Sequence, residues 1–103
     1  MKRTSIDVKA MRQSAEQATG FLRTLANEDR LLLLCYLTQG ERCVSDLEEL
    51  SGILQPTLSQ QLGVLRQEGL VSTRRDGKYV YYQLADDRAR SILNSLHGLF
   101  CQR

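Results

Sequence analysis

Residues 45–84 read SDLEELSGILQPTLSQQLGVLRQEGLVSTRRDGKYVYYQL, and this stretch decides the fold. Ser45 followed three residues later by Glu48 has the spacing of a capping box, and Asp46, Leu47 and Leu50 continue a short helix to Ser51-Gly52. Pro56, whose fixed φ suits a first helical turn, opens a second helix in which Leu58, Leu62 and Leu65 recur at i, i+4 and i+7 until Gly69 stops it. β-Branched and aromatic residues then take over, from Leu70 to Arg74 and from Tyr79 to Leu84, around the turn signal Asp76-Gly77. Helix, turn, helix and a cation-bearing hairpin is the order of a winged helix-turn-helix.

Working outward from that block, three more helices complete the chain. Asn27 is an N-cap, with Glu28 and Asp29 favourable at the positive helix end, for a helix from Arg30 through Leu37 that Gly40 stops. Before it, Val8, Met11, Ala15, Ala18, Phe21, Leu22 and Leu25 form an apolar stripe on a helix over 7–25, weakened at Gly20. After the hairpin, Asp86 and Asp87 start a last helix whose apolar face is Ala89, Ile92, Leu93, Leu96, Leu99 and Phe100. The fold class is mainly α with a β-hairpin wing, five helices, in one domain over 1–103, because 103 residues are too few for two cores.

A chain that is 42% hydrophobic and 25% charged has the balance of a folded globular protein, which excludes disorder. The richest apolar run, Leu31 to Leu37, is too short to cross a membrane, and Asp7, Lys9 and Arg12 fall where a secretory signal needs apolar residues. A cytoplasmic protein without membrane contact is expected. Its net charge of +2 permits nucleic-acid binding without arguing for it.

Charge distribution says more. Residues 41–51 set Arg42 against Glu41, Asp46, Glu48 and Glu49, whereas 55–83 hold Arg66, Arg74, Arg75 and Lys78 against Glu68 and Asp76. The helix opened by Pro56 keeps its leucines for the core, leaving Gln55, Thr57, Ser59, Gln60, Gln61 and Arg66 towards solvent, where they can bond base edges or phosphates. Arg74, Arg75 and Lys78 on the wing can neutralise phosphates, the loss of each lowering the salt slope by about one unit. Residue by residue, the pattern also describes a solvated helix face and a charged edge strand. Taken in order along the chain, it points to double-stranded DNA. One short recognition helix reads only a few base pairs, so the first and last helices are expected to supply a two-fold interface, although their apolar residues also suit an internal core. Tyr79, Tyr81 and Tyr82 read as wing packing. An enzyme is not expected: His97, the sole histidine, has no nucleophile motif beside it, and no cofactor is implied.

Leu54 through Arg66, followed by Gly69-Leu70-Val71, Arg74-Arg75 and Tyr81-Tyr82, strongly resembles the ArsR/SmtB repressors, and the likeness covers nearly the whole chain. Asn27 through Leu31 is similar to the segment that opens the second helix in that family. The resemblance implies a homodimer built on the first and last helices, bound to an inverted-repeat operator and released by an inducer. Gln61 stands where many members carry His. In place of the Cys-Val-Cys-Asp-Leu run of the arsenic and cadmium sensors this chain has Cys43-Val44-Ser45-Asp46-Leu47, one thiolate short. Asp86, Asp87 and His97 lack the companion histidines of the zinc and nickel sensors, so no metal site is expected.

Cys35 and Cys101 resemble in position the cysteine pair of the BigR/SqrR group. That resemblance implies that a persulfide or polysulfide links them within a subunit, and that the regulated genes serve sulfide detoxification. On the residues alone, Cys35 among leucines also reads as a core filler. Cys43 reads as a bystander or a peroxide-reactive thiol, and a metal- or peroxide-responsive repressor stays open.

Overall fold

In the computed structural model, residues 7–101 are described. Asp7 accepts a bond from the Lys9 amide and starts α1 (Val8–Leu25); Asn27 does the same for the Arg30 amide and starts α2 (Glu28–Leu37). A two-residue strand β1 (Arg42–Cys43) leads into α3 (Val44–Ser51), and α4 (Thr57–Gln67) follows a short connection. The wing is β2 (Val71–Asp76) and β3 (Tyr79–Leu84), after which Asp86 caps α5 (Asp87–Leu96) through the Ala89 amide, and a π-helical turn covers His97–Cys101. The sheet order is β1-β3-β2, antiparallel throughout, with Arg74 opposite Tyr81 and Cys43 opposite Tyr81 on its other side.

Leu33, Leu34, Leu47, Leu58, Leu62, Leu65, Leu70 and Leu93 are almost fully buried and join α2, α3, α4, the wing and α5 into one core. The leucine period of α4 thus does what its spacing predicts: one face is sunk and the other left open. Gly69 takes φ +79 just past α4, and Gly77 takes φ +63 in the wing turn, conformations that glycine adopts without steric cost.

Four details differ from the sequence expectations. The capping box at Ser45 and Glu48 does not form: α3 starts at Val44 from an extended Cys43 with no side-chain cap, and the Ser45 hydroxyl lies 3.2 Å from the Cys43 sulfur. Already inside the first turn, Ser45 is in the wrong place to cap it. Pro56 is the N-cap residue of α4 rather than its first helical residue. β1 is too short to leave an alternating pattern in the sequence. The last helix changes to a π-turn at His97, next to Gly98, a residue with little helix preference.

Candidate nucleic-acid interface and cysteine cleft

α4 turns Leu58, Leu62 and Leu65 inward, which leaves Ser59, Gln60 and Arg66 exposed and Thr57 half-buried. Gly63, Val64 and Gln67 share that open surface, which sequence reading did not single out. Gln55 is exposed ahead of the helix, and its side-chain oxygen accepts a 3.0 Å bond from the Ser59 amide, so it caps α4. Gln61 does not face free solvent as expected. It is half-buried, and its Oε1 accepts a 3.0 Å bond from Arg30 Nη1, because α4 lies against the start of α2 along that flank.

On the wing, Arg75 and Lys78 are exposed, and Lys78 Nζ sits 5.7 Å from the Tyr79 ring centre. Arg74 is not a free cation. Its Nε and Nη2 donate to the Glu41 carboxylate at 2.7 and 2.8 Å, and its guanidinium lies 4.7 Å from the centre of the Tyr81 ring. Arg74's hydrogen bonds hold the Glu41 carboxyl below its ordinary range. Sequence reading missed Glu41 because it sits 33 residues from its partner. Among the described residues, no ion pair engages Arg66, Arg75 or Lys78.

On the far side of α2, Cys35 and Cys101 line one cleft of about 410 Å³, with Tyr36, Gln39, Asn94 and His97 around them. Cys35 is half-buried on α2 and Cys101 exposed at the end of the π-turn; both are free thiols. Burial, and then the proximity of Cys101, push the Cys35 thiol up from its ordinary value. Cys35 packs half-buried at the rim of the core. His97 opens onto the same cleft. Cys43 is buried at the sheet and does not line it. Among the described residues no group of three or more His, Cys, Asp or Glu is gathered closely enough to hold a metal ion. None of the described helices is long and apolar enough to cross a membrane.

Residues 27–73, which include the helix-turn-helix and the start of the first wing strand, match the family described as bacterial regulatory protein, arsR family. A biofilm growth-associated repressor of Agrobacterium fabrum is 48% identical over 93% of this chain and 82% of its own length. The chain belongs to the arsR family. As an arsR-family protein it is a DNA-binding transcriptional regulator. The crystal structure of the transcriptional repressor BigR from Xylella fastidiosa superposes with a TM-score of 0.85 at 43% identity, covering 95% of this chain and all of that one. A homodimeric winged helix-turn-helix DNA-binding domain from Mycobacterium bovis matches with a TM-score of 0.73 at 31% identity, covering 95% of this chain and 89% of that one.

Proposed function

We propose that this arsR-family regulator is a homodimeric repressor that holds an inverted-repeat operator while Cys35 and Cys101 are reduced, and releases it when reactive sulfur joins them. The open face of α4 supports the placing of Thr57, Ser59, Gln60 and Arg66 in the major groove, with Arg75 and Lys78 along the phosphates. Gln55 and Gln61 shape the helix from its start and flank. A twin subunit is supported by apolar side chains left open on α1 and after α5: Val8, Met11, Leu22, Leu99 and Phe100 are each 51% to 79% exposed. The homodimeric Mycobacterium bovis domain supports the same assembly. A cytoplasmic location suits DNA binding, and the resemblance of the cysteine pair to the BigR/SqrR group implies genes of sulfide detoxification as the targets.

The observation that carries the sensing half is the cleft shared by two cysteines from segments far apart in sequence. The exposed Cys101, as thiolate, attacks the terminal sulfur of a persulfide R–S–SH; the S–S bond breaks, R–S⁻ leaves and takes up the proton, and Cys101 carries S–SH. Cys35 then attacks the Cys101 sulfur, the new S–S bond breaks, and hydrogen sulfide departs, leaving a Cys35–Cys101 disulfide. Where both cysteines already carry S–SH, the same step leaves a trisulfide and hydrogen sulfide, and that bridge spans a longer gap. Either link ties the end of α5 to α2, whose buried leucines pack against α4, and shifts the dimer away from the DNA-competent arrangement.

The test is operator affinity and intact mass for the wild type, Cys35→Ser and Cys101→Ser, reduced and after persulfide, peroxide or zinc. Persulfide is expected to release wild-type protein from DNA with a Cys35–Cys101 link in its mass spectrum, and to leave both variants bound. Release of Cys101→Ser by metal, or persulfide release without the link, rejects the sensing half.

A further inference from the structure

Arg30 touches three helices. It sits in the first turn of α2, its amide fixed to Asn27 Oδ1 at 3.0 Å, and its side chain reaches backwards and sideways. Nε donates to the Thr24 carbonyl at 2.6 Å and Nη2 to the Arg23 carbonyl at 3.3 Å, two of the last-turn acceptors of α1. The Leu22 carbonyl receives the Ala26 amide and the Leu25 carbonyl the Asn27 amide, so the guanidinium serves the two acceptors that remain. A cation there also meets the negative end of the α1 dipole. The third arm, Nη1, donates to Gln61 Oε1 on α4 at 3.0 Å. Gln61 adjoins Gln60, which stands on the open face of that helix.

We infer that Arg30 is a positioning residue for operator reading: it fastens the recognition helix to the end of α1, so that α4 keeps its rotation relative to the subunit pairing. The leucines hold α4 by one side only, and apolar contacts tolerate a small roll or slide. The Arg30–Gln61 bond pins the flank. A planar guanidinium suits this role because its donors diverge in a rigid fork, which lysine cannot imitate. The inference rests on the DNA-reading half of the proposed function and is independent of the sensing half.

The experiment uses reduced, full-length protein and two probes: a duplex selected from a random pool by the wild type, and a scrambled duplex of equal length. Arg30→Met, Gln61→Ala and the double variant are compared for affinity, salt slope and dimer state. Each single change is expected to weaken the selected duplex about tenfold or more, the worth of a hydrogen bond to a charged group, with affinity for the scrambled duplex and salt slope unchanged. The double variant is expected to be no worse than the weaker single, because both remove the same link. Equal losses on both duplexes with a slope shallower by about one unit identify Arg30 as a phosphate contact and overturn the inference. Additive losses identify Gln61 as a direct base contact and also overturn it, as does no loss at all.

Should Arg30→Met fail to fold, Gln61→Ala and Gln61→Glu decide. Glu keeps an acceptor for Arg30 and is expected to preserve the preference for the selected duplex that Ala loses; an equal loss in both refutes the inference. If the wild type itself enriches no sequence, the proposed DNA reading fails and this inference with it. Enrichment by the wild type and unchanged preference in the variants sinks this inference alone.

Discussion

At Cys35 the thiol is half-buried on α2, and burial together with the neighbouring Cys101 holds it protonated above its ordinary range. Thiolate is the reactive form, so at a given pH a smaller fraction of Cys35 is nucleophilic than of an unperturbed cysteine. Iodoacetamide is therefore expected to label Cys101 before Cys35. Cys35 labelling should rise about tenfold per pH unit and keep rising above pH 9.0, the ordinary thiol value, because its folded pKa lies higher. Peptide mass spectrometry after timed quenching reads both rates, and faster labelling of Cys35 would reverse the roles of attacking and resolving thiol. The chemistry of these two residues is not visible in sequence beyond their identity, since Cys35 lies in a run of leucines that reads equally as core. What sets a second thiol in its cleft is the π-turn, a chain segment far from α2 in order.

The wing shows how an element can look right in sequence and carry its charges differently in space. The strands, their register and the glycine turn follow from local chemistry, and so do the caps Asn27 and Asp86, whose side chains act within three residues of themselves. Arg74 belongs to the same element, yet Glu41 ahead of β1 reaches it across the face of β3, where Tyr81 stacks against the guanidinium. No period or motif announces that pairing. Nor could Ser45 and Glu48 reveal that α3 begins two residues too early for their box. On the proposed DNA reading, phosphate neutralisation falls to Arg75 and Lys78: each changed to Ala is expected to make the salt slope of DNA binding shallower by about one unit, while Arg74→Ala changes it little. Glu41→Gln should steepen it by about one unit by freeing Arg74. Titrations of duplex DNA across a range of salt concentrations check all four, and an Arg74→Ala slope equal to that of Arg75→Ala would mean that the pair opens on DNA.

Over the whole molecule the subunit is long, with extents of 60 × 33 × 22 Å and a radius of gyration of 16.5 Å against about 13 Å for a compact chain of this size. The excess is α1, of which only Thr24 and Leu25 at the inner end are buried. Its amphipathic stripe was legible in the sequence; whether it faced the core or a second subunit was not, because both burials ask for the same residues. Removing each large apolar side chain from water is worth about 1.5–3 kcal/mol, so Met11→Asp or Phe100→Asp is expected to shift the protein to monomers in sedimentation and to weaken operator binding more than tenfold. An unchanged sedimentation coefficient in both variants would argue against this interface. The cysteine cleft, by contrast, takes both of its thiols from one protomer. If the proposed bridge forms, each half of a pair can close its own, and a sulfur pulse too weak to convert every copy leaves hybrids with one bridged and one open member. On the proposed mechanism such hybrids keep a grip on a single half-site, so promoter escape should follow dose in two stages, complete only when both members are bridged.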